Sequence, residues 1–325
     1  MVRTRIEPKI GRTRSDILPL IALLILSITS CNQSPTDRTA ASQELPPAEK
    51  TKIVATFLPI YWFTKAVAGN AAEVEILVPP GTEVHEYQAK PENVRAIATA
   101  NVLVKNGLGF EKFLEQTVKN AQNPKLAEID SSKSIKSIGA ISPIINTAKE
   151  EKGHEHTEVN PHIWLDPVLA KQQVINIRDG LIAADPRNKA IYEANAAAYI
   201  QELETLNSKF QQTLQKNSNC TFVTFHDAYP YLAQRYNLKQ IAVVEIPEDQ
   251  LSPADIKNVT NAVKKFKVKA LLSEPGIDNK LLKNLSQDLK LNLQTLDSLE
   301  NGKTDPQYYF QAMKANLQTL ETACK

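Results

Sequence analysis

No apolar run in this sequence is long enough to cross a membrane, no extended basic tract is present, and cysteine is scarce. A spanning helix needs roughly 20 apolar residues, and the run from Ile17 to Ile28 (ILPLIALLILSI) falls well short of that. Charge is almost balanced, with 38 Lys and Arg against 36 Asp and Glu. Five basic and two acidic groups fall in the first thirty residues, which leaves 33 against 34 beyond them. Without a cationic stretch, nucleic-acid binding has no support. Three cysteines, Cys31, Cys220 and Cys324, are too few for a disulfide framework.

What the N-terminus does carry is an address. Arg3, Arg5, Lys9, Arg12 and Arg14 form a basic leader to the apolar run, the arrangement of an export signal. The run ends in Ile28-Thr29-Ser30-Cys31, which is similar to a bacterial lipobox. Residues 1–30 are therefore expected to be a lipoprotein signal peptide, with Cys31 taking acyl chains that hold the protein to a membrane. An ordinary signal peptide or a buried apolar helix is the alternative. Residues 31–50, polar and with three prolines, read as a flexible tether. The expected location is the extracytoplasmic face of a bacterial membrane. In an exported protein Cys220 and Cys324 can pair, and their wide separation would make the bridge a substantial constraint on the unfolded chain. Two buried free thiols are the alternative.

About 275 residues remain for folding. From residue 51, short β-rich runs alternate with amphipathic stretches. KIVATF (52–57), VEILVPP (74–80), NVLVKNG (101–107) and KLAEID (125–130) form one set. CTFVTFH (220–226), QIAVVE (240–245), KALLSE (269–274) and LNLQTLD (291–297) form a second. Helical stretches between them imply βαβ units and parallel sheets, so the fold class is α/β, with the same arrangement used twice. Between the sets, residues 186–216 hold no internal proline or glycine. Asp185 and Pro186 suit a helix start, and Ile191, Ala194, Ala198, Leu203, Leu206 and Phe210 fall near helical spacing. At 1.5 Å per residue this helix would run roughly 45 Å, a stiff link between two lobes. The expected boundaries are 51–184 for the N-terminal lobe, 185–217 for the linking helix and 218–325 for the C-terminal lobe.

Five histidines are present: His85, His154, His156, His162 and His226. His85 follows the second strand and His226 closes the fifth, both at carboxyl ends, where doubly wound sheets bind ligands. His162 sits in NPHIWLDP, just before a helix. Three imidazoles form a common zinc donor set, although a lone loop histidine is more often solvated or hydrogen-bonded than metal-bound, and it is their joint placement that points to a metal. A fourth ligand is expected from Asp278 in SEPGID, from Glu83, or from water. His154 and His156, in KEEKGHEHTE, could bind a metal weakly or simply be solvated. Asp166, Asp227 and Asp297 could orient histidines, while capping explains Asp166 and Asp227 as well.

These residues bring a family into view. The chain from 51 to 325 resembles the zinc- and manganese-binding solute receptors of bacterial ABC importers. GTEVHEYQAKPENV (81–94), NPHIWLDP (160–167), FHDAYPYLAQRYNLKQIAVVEI (225–246), SEPGID, TLD (295–297) and YYFQAMKANLQTL (308–320) carry the likeness. Val84 and Gln88 depart from the usual first-histidine loop. The resemblance implies two βα lobes joined by one long helix with the metal in the cleft between them. It assigns His85, His162, His226 and Asp278 as ligands, and an ABC permease with its ATPase as partners of a monomeric receptor. His226 stands where manganese receptors tend to carry glutamate, so zinc is expected, with manganese the alternative. A zinc hydrolase is the rival from another class, but no HExxH helix is present and no carboxylate is set up as a general base. A surface adhesin is a third reading.

Overall fold

β-Branched and aliphatic residues concentrate in eight short runs, and each forms a strand in the computed structural model, which describes residues 49–139, 159–244, 253–268, 270–275 and 280–325. The expected signal segment, Cys31 and most of the tether lie outside those residues, as do His154 and His156. Strands β1 (Thr51–Ala55), β2 (Ala72–Ile76), β3 (Val102–Lys105) and β4 (Ala127–Asp130) form a parallel sheet ordered β2-β1-β3-β4. Strands β5 (Thr221–His226), β6 (Lys239–Val244), β7 (Ala270–Ser273) and β8 (Asn292–Thr295) repeat that order as β6-β5-β7-β8. All eight expected strands are present.

The helices are α1 (Leu58–Ala68), α2 (Pro91–Thr99), α3 (Leu114–Ala121), α4 (Pro167–Ala184), α5 (Lys189–Leu214), α6 (Pro230–Arg235), α7 (Pro253–Phe266), α8 (Lys280–Leu289) and α9 (Tyr308–Ala323). Among the described residues no helix is long and apolar enough to cross a membrane. The inner strands β3, β5 and β7, buried on both faces, read as nearly continuous apolar runs, whereas the outer strands β2, β4 and β8 are partly exposed. In the first sheet Val54 and Leu103 face α2 and α3, while Ile53, Ala55, Val102 and Val104 face α1 and α4. The latter core continues along α5 to Phe222, Leu272 and α9, so one cluster serves both sheets. Gly180 lets α4 close on the first sheet, since a Cβ there would stand 2.6 Å from Ile129.

Two expectations about the long helix change. It is 26 residues long, flanked by 3-10 turns at Pro186–Asn188 and Gln215–Asn217. Its buried stripe is Tyr192, Ala196, Tyr199, Leu203, Leu206, Phe210 and Leu214, whereas Ile191, Ala194 and Ala198 are exposed. Two tyrosines take the core positions because each ring is apolar and its hydroxyl finds a partner: Tyr192 donates to Asp185 and Tyr199 to the Pro306 carbonyl. Asp185 holds the N-cap position ahead of Pro186, but its side chain makes no capping hydrogen bond. Its carboxylate instead accepts from Thr51 (2.6 Å), Asn188 (2.7 Å) and Tyr192 (2.9 Å), tying the start of β1 to the helix.

Cys220 and Cys324 do pair, with Cα atoms 5.6 Å apart across 104 residues. The bridge fastens the start of β5 to the end of α9.

Candidate metal centre

Order 2-1-3-4 puts a crevice at the carboxyl ends of the strands, where the crossovers leave to opposite sides. Both sheets supply such ends, and the histidines sit on them. His85 lies in the loop after β2. Val84 and Tyr87 on either side are buried, and the Tyr87 hydroxyl and the Leu77 carbonyl are both bound by Asn93. His226 is the last residue of β5, in register with Val244, and its carbonyl is held by Thr224 and Gln240. His162 precedes the 3-10 turn Ile163–Leu165, whose three side chains are fully buried and anchor the segment. All three imidazoles converge, with ring centroids 4.7–5.4 Å apart.

The fourth group at this point is Glu300, which sequence reasoning missed. Five residues beyond β8, it occupies another strand's carboxyl end, and that position was the available signal. Leu299 is fully buried in a left-handed conformation (φ 63°), a strain of about 1–2 kcal/mol that turns the Glu300 carboxylate inward. Asn301 accepts the Gly81 amide at 2.8 Å, coupling this loop to the one carrying His85. One donor atom from each of His85, His162, His226 and Glu300 lies within 4.8 Å of the others, all buried. Among the described residues this is the one such group. Glu300 Oε1 stands 3.4 Å from His85 Nε2 and 3.3 Å from His162 Nε2. A tetrahedral zinc with bonds of about 2.0–2.1 Å has donors about 3.3 Å apart, so a small contraction closes the set. The other candidates differ: Glu83 is exposed and accepts from the Val84 amide, and Asp278 lies outside the described residues.

The decisive chemical feature is what these atoms lack. Nε2 of each histidine and Oε1 of Glu300 are buried without a hydrogen-bond partner. Four orphaned donors aimed at one point would be costly unless a cation joins them. The far sides of two of the rings are satisfied. His162 Nδ1 meets Asn160 Oδ1 at 2.9 Å, and Asn160 in turn donates to the Asp227 carbonyl at 2.7 Å. His226 Nδ1 meets Glu274 Oε1 at 3.0 Å. Asp227 holds Asn160 through its backbone carbonyl and its charge adds to the field at His226, and Asp297 caps the Leu299 amide. Asp166 caps α4 at Val168 and pairs with Arg235 at 2.8 Å.

Electrostatics separate the two imidazoles. Burial drives His162 down to about 3 despite Glu300, so it is neutral at any physiological pH. Burial also opposes charge on His226, but the Glu274 carboxylate outweighs it and raises this group to about 9. For Glu300 burial is likewise outweighed, here by the imidazoles around it, and its carboxyl is held well below the ordinary range.

Comparison with known proteins places this geometry. The chain is 34% identical over 283 residues to the zinc-binding lipoprotein AdcA of Streptococcus pneumoniae, covering 84% of this chain and 55% of that one. It therefore spans about half the length of that relative. It is 29% identical to the high-affinity zinc uptake system protein ZnuA of Bacillus subtilis, over 93% of this chain and 95% of that one. The crystal structure of the Zn(II)-bound ZnuA-like domain of S. pneumoniae AdcA superposes with a TM-score of 0.71 at 32% identity, covering 85% of this chain and 99% of that domain. Residues 53–323 match the family described as the periplasmic component A of the zinc-uptake complex, and it is to this family that the chain belongs.

Proposed function

We propose that this protein is the receptor of a zinc ABC importer: it captures Zn2+ outside the cytoplasmic membrane and delivers it to the permease. His85, His162, His226 and Glu300 are the ligands. The observation that carries this reading is the convergence of four buried donors with no other partner. Three nitrogens and one carboxylate suit zinc better than the harder manganese, in keeping with the zinc-binding relatives. All four ligands come from one chain, so a monomer suffices, and the lipid anchor is Cys31. Calorimetry tests the assignment: the parent chain should take one zinc, and the His85→Ala/His162→Ala/His226→Ala variant none. Unchanged binding in the triple variant would sink it.

The ligands must be neutral imidazoles, which fixes the sign of the pH dependence. Below about 9, His226 carries a proton on the nitrogen that faces the ion, and zinc must expel it. His162 imposes no such requirement. Affinity therefore rises with pH, about tenfold per unit, or about a hundredfold between pH 6 and pH 8. Competition against a chromophoric chelator measures this, and a flat profile would rule out proton displacement at His226.

Asn160 fixes the His162 ring without touching the ion. Asn160→Ala should weaken zinc binding by about 10–100-fold while the chain stays folded, as read by the same competition assay alongside circular dichroism.

A further inference from the structure

Glu274 is a buried carboxylate at the centre that is not aimed at the point where the four donors converge. It stands just past β7, 9% exposed. Oε1 faces His226 Nδ1 at 3.0 Å, and Oε2 accepts a short hydrogen bond from the Ser298 hydroxyl. Both oxygens are thus committed to protein groups. Ser298 lies two residues before Glu300, and its carbonyl accepts the Trp164 indole N–H at 2.8 Å. Trp164 lies two residues after His162. A continuous chain therefore runs His226–Glu274–Ser298–Trp164, joining the segments that carry three of the four convergent groups. The comparable position behind His162 is held by a neutral amide, Asn160.

We propose that Glu274 is a positioning residue for zinc capture. Its carboxylate retains the Nδ1 proton of His226, so that in the zinc-loaded protein Nε2 is the nitrogen that presents its lone pair to the ion, and through Ser298 it sets the distance of the Glu300 loop. This inference rests on the cluster being the zinc site. A carboxylate behind a ligating histidine fixes its tautomer and strengthens it as a donor, and loss of such a partner costs about 10–100-fold in metal affinity. A neutral amide of the same shape keeps the packing but makes a weaker bond, because the charge assistance is gone. Glu274 would then make His226 a stronger donor than His162.

The test uses the full chain with Glu274→Gln and Ser298→Ala, zinc competition, and nitrogen-15 NMR of labelled histidine in the zinc-loaded protein. Glu274→Gln is expected to bind zinc about 10–100-fold more weakly and to move the His226 Nδ1–H resonance, with zinc-free melting close to that of the parent. Ser298→Ala is expected to show a smaller loss and a smaller movement of the same resonance. Parental affinity and an unmoved resonance in Glu274→Gln would overturn the inference and leave the zinc reading standing. If the parent chain itself fails to bind zinc, the reading of the site falls first. Should Glu274→Gln fail to fold, Ser298→Ala decides, and parental affinity there overturns the inference.

Discussion

Stripping zinc from this protein lowers its thermal midpoint by about 8–16 °C relative to protein held at a thousandfold excess of zinc over its dissociation constant. The proposed ligands are scattered at positions 85, 162, 226 and 300, so the unfolded chain cannot gather them and the ion binds the native state almost alone. Mass action then contributes about 4.1 kcal/mol at that excess. A body of this size shifts by about 2–4 °C per kcal/mol. Burial of four mutually unsatisfied donors works in the same direction, since without a cation the folded state carries their desolvation uncompensated. Scanning calorimetry with a chelator and then with rising zinc reads the shift. A midpoint indifferent to zinc would mean that the folded cluster does not take the ion.

Replacing both Cys220 and Cys324 by serine should cost about 4–5 kcal/mol of stability. The bridge closes 104 residues, and the chain-entropy relation assigns about 4.7 kcal/mol to a loop near 100 residues. The same substitution should leave zinc affinity within about twofold. Cys220 stands at the opposite end of β5 from His226, six residues and roughly 20 Å away at strand rise. Urea denaturation of zinc-free protein measures the first effect and chelator competition the second. A loss under about 1 kcal/mol would show that the unfolded chain is confined by something other than the bridge. A large loss of zinc affinity would mean that the bridge shapes the site.

Much of the architecture was legible because its causes are local. Runs such as TFVTFH and KALLSE favour extended backbone wherever they occur, and Pro-initiated amphipathic stretches start helices at Pro91, Pro167, Pro230 and Pro253. A repeated βα pattern admits few parallel topologies, so two similar sheets followed. The face that α5 would bury was not legible. Ile191, Ala194 and Ala198 satisfy helical spacing as well as Tyr192, Ala196 and Tyr199 do. Which set turns inward depends on α1, α4 and α9, which come from distant parts of the chain.

The metal centre divides in the same way. His85, His162 and His226 were marked out by their surroundings and by the strand ends they occupy, which are properties of short segments. Glu300 was not, although the strand-end argument that singled out Asp278 applied to it equally. Nothing local separates a carboxylate that turns inward from one that stays in solvent. That choice is made by a left-handed, buried Leu299 and by the hydrogen bond from Trp164 to Ser298, 134 residues apart. From its residues alone, this protein determined its strands, its helices and three of the four groups that converge. Only the tertiary structure decided the fourth donor and the groups that fix the rings, because orienting a side chain in a buried site depends on contacts the sequence does not place next to one another.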